Sequence, residues 1–237
     1  MEQETFYQED NMNKLTIAKD LTTNAPVVLD LPSITLAVGD KLSGKTFLIR
    51  KLIEKKEDGR ILLLTNKADS YHGLGEVMVK LDAGSPAMNF RDRLTIIDAS
   101  DLYDDDPNHS LDVELAHLRD QVQADDMIIV DEAYPFMADE LNKYELLKTA
   151  EIVRGKGASM VITTNQPLML IEKAPVLFKI SNYMFCLRQS KQTATKICEI
   201  FAGEQGKYEL LRSYDVFDFG KGIFASSEGD LGFVQVQ

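Results

Sequence analysis

Residues 39–46 constrain the fold of this chain more than any other segment. They read Gly-Asp-Lys-Leu-Ser-Gly-Lys-Thr and match the pattern G-x-x-x-x-G-K-[ST]. The apolar run Ile34–Val38 precedes them, and apolar residues at helical spacing follow between residues 46 and 56. A buried strand, a glycine-containing loop and a helix in this order predict a βαβ unit. The loop of such a unit wraps a phosphate group with its backbone N–H groups.

The motif predicts the residues that contact a nucleotide, and we call residues 39–46 the phosphate loop. Its predicted binding residues are Gly39, Asp40, Lys41, Leu42, Ser43, Gly44, Lys45 and Thr46. Lys45 is expected against the β- and γ-phosphates of ATP, and the Thr46 hydroxyl is expected to ligate Mg²⁺.

Two carboxylates follow the apolar run Met127–Val130, which reads as a strand buried on both faces. Asp131, at the strand end, is predicted to hold the water shell of Mg²⁺. Glu132 is predicted to orient or deprotonate a water that attacks the γ-phosphate. The second carboxylate favours hydrolysis of the nucleotide over transfer of phosphate to a bound acceptor.

Polar side chains also follow residues 159–163, which read as a further strand. Asn165 or Gln166 could hydrogen-bond the γ-phosphate, because the carboxyl ends of parallel strands face the nucleotide. Amides before Pro167 are also typical of a capped turn. Arg154, at the end of a predicted helix over residues 139–154, could act in trans on the γ-phosphate of a neighbouring subunit. An arginine there is equally favoured by the helix dipole alone.

Strands and helices alternate along the sequence, which predicts an α/β fold with a mostly parallel central sheet flanked by helices. Short strands near residues 15–18 and 26–29 predict an antiparallel edge ribbon, and glycine-punctuated strands end the chain. We expect one domain over residues 1–237. It has a tail and edge strands at 1–33, a nucleotide-binding core at 34–180 and an extension at 181–237.

Composition excludes several classes of protein. The 237 residues are 44% hydrophobic, enough to fill a sizeable core, so disorder is excluded as the main state. No run predicts a membrane span or a secretory signal, so no direct membrane insertion is expected. Cys186 and Cys198 are the only cysteines, which favours a reducing, intracellular setting.

Charge is spread unevenly along the chain. The net charge is −12, which argues against a generally basic nucleic-acid surface. Residues 101–126 hold 9 acids against Arg119 alone, a net charge of −8. Residues 151–225 hold 10 Lys or Arg and 7 acids, a net charge of +3, so a local basic surface is compatible with the sequence.

The ordered set of motifs resembles the FtsK/HerA superfamily of ring-forming, DNA-pumping ATPases. The resemblance rests on the phosphate loop, on residues 128–132 and on residues 154–167, where Arg154 to Gly157 matches R-x-x-G. It covers residues 35–225 and is strongest to the genome-packaging ATPases of tailless, membrane-containing icosahedral viruses. The sequence departs from the family at Lys41 to Ser43, where small residues are usual, and at an inserted Asn165.

The resemblance implies a RecA-like P-loop NTPase fold and an ATP-hydrolysing motor that packages a viral genome. It further implies double-stranded DNA as the partner and a homo-oligomeric ring in which Arg154 acts across the subunit interface. A capsid or vertex protein is the implied docking partner, and the virion or the host cytoplasm is the implied location.

Two other functions share the phosphate loop. One is a nucleoside or nucleotide kinase, because Leu42 to Lys45 also resembles the thymidine kinase loop, although two cysteines cannot supply the zinc module of that group. The other is an ATP-operated assembly switch, which does not need Glu132. The scattered His72, His109 and His117 favour no metal site. Four aromatic residues could stack on a base or simply pack, and they are Phe6, Tyr7, Tyr71 and Phe136.

Overall fold

The computed structural model describes residues 14–74, 77–80, 92–100, 111–137, 140–201 and 218–237. The strands are β1 Lys14–Asp20, β2 Pro26–Asp30, β3 Ile34–Val38, β4 Ile61–Thr65, β5 Val77–Lys80, β6 Leu94–Asp98, β7 Met127–Val130, β8 Ser159–Thr164, β9 Tyr183–Leu187, β10 Lys221–Ser226 and β11 Leu231–Val236. The α-helices are α1 Lys45–Lys55, α2 Leu111–Gln121, α3 Glu140–Gly155, α4 Pro167–Lys173, α5 Pro175–Ile180 and α6 Lys191–Phe201. Short 3-10 helices span Ala68–Tyr71 and Tyr134–Met137.

The described strands form one sheet of eleven strands in the order β2-β1-β11-β10-β9-β3-β8-β7-β4-β6-β5. Neighbouring strands from β9 to β5 run parallel, whereas β10, β11, β1 and β2 are joined by antiparallel pairing. The predicted α/β class, the mostly parallel sheet and the antiparallel strands at the termini are therefore confirmed.

The sheet is covered on both faces, as the unbroken apolar runs of its central strands require. Successive residues of a strand point to opposite faces, so Leu62 and Leu64 join one apolar cluster while Ile61 and Leu63 join the other. Helix α1 covers the second cluster with its buried leucines and isoleucines, and helices α2 to α6 cover the first. Each fully buried Leu or Ile contributes about 1.5–3 kcal/mol to stability.

Helices α4 and α5 are not predicted from the sequence because each begins with a proline. Pro167 and Pro175 read as helix breakers, yet each lies in the first turn of its helix, where the missing N–H needs no intrahelical partner. The remaining predicted strands and helices that lie in the described residues are present, with ends shifted by one to three residues. The sequence pattern also predicts a helix near residues 207–212, but these residues lie outside the described part of the chain. His109, Phe6 and Tyr7 lie outside it as well.

The order of the central strands positions the functional side chains. Strand β8 lies between β3 and β7, and β4 lies on the other side of β7. Val38 is paired with Thr164, and Val130 is paired with Ile162 and Leu64. The carboxyl ends of β3, β8, β7 and β4 therefore meet at one edge of the sheet, where the phosphate loop begins. In the described part of the chain, no helix is long and apolar enough to span a membrane.

Candidate functional site

The phosphate loop is tied to the strands on both sides of β3. The Gly39 N–H donates to the Thr164 carbonyl at 3.2 Å, and the Asp40 N–H donates to the Arg188 carbonyl at 2.9 Å. Gly44 has φ +107°, and a Cβ added there would lie 2.8 Å from the backbone of Gly220. Glycine at position 44 is thus needed both for the left-handed backbone and for close packing against the turn before β10.

Lys45 is a buried cation that lies inside the phosphate loop, 5% exposed. Its Nζ donates to the carbonyl oxygens of Gly39 at 2.8 Å and Asp40 at 3.0 Å, and lies 3.9 Å from Glu132 Oε1. Burial lowers the pKa of Lys45, and the negative charge of Glu132 opposes that shift. The loop therefore holds a buried positive charge with a carboxylate beside it, and the contact of Lys45 with the phosphates remains a prediction.

Asp131 is 1% exposed and accepts three hydrogen bonds from hydroxyl groups. Thr163 Oγ1 donates to Oδ1 at 2.7 Å, while Thr65 Oγ1 at 3.2 Å and the Tyr71 hydroxyl at 2.7 Å donate to Oδ2. Thr163 Oγ1 also accepts the backbone N–H of Glu132, and Thr65 Oγ1 accepts that of Lys67. A carboxylate offers about four acceptor positions, so about one remains for a further ligand.

Tyr71 is completely buried beside Asp131. Burial and the negative charge of Asp131 raise the pKa of the Tyr71 hydroxyl far above its usual range, and a hydrogen bond with Thr46 opposes the shift. The phenol therefore keeps its proton and remains a donor to Asp131. It also connects Asp131 with Thr46, the two residues predicted to hold Mg²⁺.

The donor set at this point fits Mg²⁺, which prefers hard oxygen ligands and retains several waters. Thr46 supplies a hydroxyl at the start of α1, and Asp131 supplies the remaining acceptor position of a fixed carboxylate. Their role as metal ligands remains a prediction.

Glu132 is also buried, but its partners differ from those of Asp131. It lies between Lys45 and Lys67, next to the end of β8. Its Oε1 accepts from Lys67 Nζ at 2.7 Å, and its Oε2 accepts from the Asn165 N–H at 3.0 Å. The residue is 7% exposed and has φ +61°, a left-handed backbone conformation that is costly for a residue other than glycine. Strain of this kind is commonly retained at functional sites.

The amide side chains after β8 lie at the same edge of the sheet. Asn165 is half-buried and its N–H contacts Glu132, whereas Gln166 is exposed and directly precedes α4. Neither side chain caps α4. The contacts of the two amides therefore do not identify which of them would meet a γ-phosphate. The choice between Asn165 and Gln166 as the γ-phosphate sensor therefore remains open.

Arg154 lies away from this site, at the opposite edge of the sheet. It is in the last turn of α3, and only residues 156–158 separate that helix from the start of β8. The side chain is exposed, and its Nη1 donates to the Ile180 carbonyl at 3.4 Å. Arg154 is thus remote from the phosphate loop of its own chain, and its proposed action in trans remains a prediction.

Sequence reasoning missed Lys67, Thr65 and Phe219. Thr65 ends β4 and Lys67 follows that strand, and β7 is a neighbour of β4 in the sheet. The rule that carboxyl ends of parallel strands share one edge applies to them as it does to Asn165, and it would have indicated both. Of the two alternatives left open for Tyr71 and Phe136, stacking on a base or packing, the structure supports packing, because both side chains are completely buried.

An open cavity of about 570 Å³ lies over these residues. Its lining consists of residues 41–46 of the phosphate loop with Lys67, Glu132 and Phe219. Phe219 is 54% exposed and packs on Phe47 with ring centroids 5.7 Å apart. The lining of the cavity therefore combines charged groups with an aromatic ring.

Comparison with solved structures shows the fold that this chain shares with known ATPases. VirB4 of Thermoanaerobacter pseudethanolicus matches with a TM-score of 0.72 and 11% identity, over 94% of this chain and 96% of that chain. The genome packaging NTPase B204 from Sulfolobus turreted icosahedral virus 2, in complex with ATP-gammaS, matches with a TM-score of 0.59 and 11% identity. That match covers 88% of this chain and 100% of that chain.

The Thermomonospora curvata EccC (ATPases 2 and 3) matches with a TM-score of 0.60 and 15% identity, over 94% of this chain. This chain spans only 40% of that EccC chain and 26% of a second one, the cytoplasmic domain. No protein-family model and no curated protein sequence matches. The structural likeness confirms the P-loop ATPase fold that the FtsK/HerA resemblance implies.

Proposed function

We propose that this protein is an ATP-hydrolysing motor that translocates double-stranded DNA. The observation that carries the hydrolytic part is the position of Glu132, a carboxylate that is 7% exposed and 3.9 Å from Lys45 in the phosphate loop. A structural ion pair alone would not need a strained, left-handed backbone directly after a second carboxylate that is fixed by three hydroxyls.

The residues divide the reaction between them. Backbone N–H groups of the phosphate loop and Lys45 bind the β- and γ-phosphates of ATP, and Thr46 and Asp131 hold the metal. Mg²⁺, when bound, neutralises charge that develops on the transferred phosphoryl group. Glu132 orients a water and accepts its proton as the water oxygen bonds to the γ-phosphorus and the bond to the β-bridging oxygen breaks.

Two features support DNA as the substrate that the motor moves. One solved structure with this fold is a genome packaging NTPase, and another is the pCW3 conjugation coupling protein TcpA. Residues 151–225 carry a net charge of +3 although the whole chain carries −12. In a ring, only the residues that line the pore meet phosphates, so a few cations per subunit are multiplied by the copy number.

The finer proposal is the packaging of a viral genome by a homo-oligomeric ring. In this proposal, the ring docks on a capsid or vertex protein, in the virion or in the host cytoplasm. The B204 structure supports this proposal more than the other matches do, because 88% of this chain covers the whole of a genome packaging NTPase.

Phosphate release measured with and without linear duplex DNA tests this function. We expect DNA to stimulate release by the wild type and Glu132→Gln to lower the rate about 10²–10⁴-fold while nucleotide still binds. Glu140→Gln is the matched control, because Glu140 is an exposed carboxylate on α3 and its loss should leave the rate unchanged.

Other outcomes identify the competing functions. Phosphorylation of an added nucleoside would identify a kinase. Nucleotide binding without turnover in the wild type would identify an assembly switch. Hydrolysis that DNA does not stimulate, and that Glu132→Gln leaves intact, would refute the motor.

A further inference from the structure

The lining of the open cavity over the phosphate loop has two chemically different parts. Lys45, Lys67 and Glu132 form the charged part, where the terminal phosphate of a bound nucleotide is proposed to lie. The aromatic part is Phe219, whose side chain is 54% exposed. An exposed aromatic ring forgoes the free energy of burial, and a ring exposed within a binding cavity can regain it by covering an apolar ligand surface.

Phe219 is held in place by the phosphate loop itself. The Gly220 N–H donates to the Ser43 carbonyl at 3.0 Å, so the residue after Phe219 is hydrogen-bonded to the phosphate loop. Gly44 packs so closely on Gly220 that a Cβ added at Gly44 would lie 2.8 Å from it. These two contacts fix the turn before β10 against the loop.

The ring of Phe219 also rests on a fixed partner. Phe47 follows Thr46 in α1 and packs against the apolar cluster beneath the helix. The two rings are tilted by 51° with centroids 5.7 Å apart, a favourable arrangement for an aromatic pair. One edge of Phe219 is thus supported while much of the ring remains open to the cavity.

We propose that Phe219 is the platform on which the nucleobase of the bound nucleotide stacks. This inference rests on the proposed function, because it assumes that the phosphate loop binds the triphosphate. A molecule that contacts both parts of this lining needs an anionic group for the lysines and a flat, apolar group for the ring, which describes a nucleoside triphosphate. Every nucleobase offers a π-face, so Phe219 supplies affinity rather than a choice between bases.

The absence of tryptophan from the chain makes a direct test simple. Phe219→Trp introduces the single tryptophan fluorophore at the proposed stacking position. We expect ATP to quench its emission and tripolyphosphate, which has the charge but no base, to leave it unchanged. Quenching by both ligands, or by neither, would overturn the stacking proposal.

Affinity measurements give a second readout. We expect Phe219→Ala to weaken ATP binding about 5- to 100-fold and to leave tripolyphosphate binding unchanged, while Phe219→Tyr retains wild-type affinity for both. Tyr144→Ala, which removes an exposed aromatic ring from α3, is the control for nonspecific effects. Thermal unfolding of each variant checks that it folds.

The outcomes separate this inference from the proposed function. Equal ATP affinity of Phe219→Ala and the wild type refutes the platform but leaves the phosphate site intact. Failure of the wild type to bind either ATP or tripolyphosphate refutes the proposed function and the platform together.

Discussion

Asp131 and Glu132 are adjacent acids with different partners. Among the described residues, the Asp131 carboxylate accepts hydrogen bonds from three hydroxyl groups, which hold it without neutralising its charge. Glu132 is paired with Lys67 and lies near Lys45, so its carboxylate is next to the groups that would meet a γ-phosphate. The different surroundings support different roles, with a fixed metal ligand at Asp131 and a base at Glu132.

Removal of the Tyr71 hydroxyl tests the fixation of Asp131. Tyr71→Phe removes a 2.7 Å hydrogen bond to a buried carboxylate, and we expect a loss of about 1.5–3 kcal/mol in the free energy of unfolding at pH 8. Mg²⁺ should also support nucleotide binding less well in this variant. Chemical denaturation and Mg²⁺ titrations of nucleotide binding measure the two effects.

The raised pKa of Tyr71 predicts how the stability difference between the wild type and Tyr71→Phe depends on pH. Above about pH 10 the unfolded chain gives up the phenol proton, whereas the folded chain keeps it, so wild-type stability falls as pH rises. The advantage of the wild type over Tyr71→Phe should therefore shrink above pH 10, by up to about 1.4 kcal/mol per pH unit. A constant difference would contradict the raised pKa. Tyr144→Phe, at an exposed tyrosine, is the matched control.

Among the secondary-structure elements, strand β8 connects the two parts of the site. It lies between β3, which leads into the phosphate loop, and β7, which leads into the two acids. The Thr163 hydroxyl donates to Asp131 and accepts the N–H of Glu132, so a single side chain of β8 sets the positions of both acids.

A matched pair of substitutions tests this role of β8. Thr163→Val keeps the shape of the side chain, and we expect it to cost about 2–3 kcal/mol of stability and to lower Mg²⁺ affinity or hydrolysis about 10–100-fold. Thr149→Val on α3 is the control, because the buried Thr149 hydroxyl has no hydrogen-bond partner among the described residues. Its replacement should be neutral or stabilising. Equal effects of the two substitutions on unfolding and hydrolysis would refute the role of Thr163.

Much of the site is predictable because its signals are local. The phosphate loop comes directly after β3, and the two acids come directly after β7. The positions of these residues can therefore be predicted from a few neighbouring residues. Lys67, Tyr71 and Phe219 reach the site through the pairing of β4 with β7 and of β9 with β10. Strand order is set by tertiary packing, and no short segment of the sequence encodes it.

Arg154 connects the site to the assembly of the whole molecule. It lies at the edge of the sheet where the parallel strands begin, whereas the phosphate loop lies where they end. Its own chain therefore offers no route to the γ-phosphate, and a catalytic role requires a second subunit. In the proposed ring, Arg154 of a neighbouring subunit would complete each site.

Mixing two inactive variants tests this arrangement. Lys45→Ala removes the phosphate-binding lysine, and Arg154→Ala should lower hydrolysis on the order of 10³-fold. An equal random mixture should recover up to about a quarter of wild-type activity, because an intact Lys45 then meets an intact Arg154 of its neighbour. A mixture as inactive as its components would refute action in trans. Arg154→Lys mixed with wild type controls for dilution.

The position of a bound triphosphate is the most direct test of the proposed site. We expect a crystal structure with a non-hydrolysable ATP analogue and Mg²⁺ to show the β- and γ-phosphates within the loop at residues 39–46. The metal should contact Thr46, and the γ-phosphate should face Glu132. A nucleotide bound elsewhere, or a γ-phosphate directed away from both acids, would contradict the proposed chemistry.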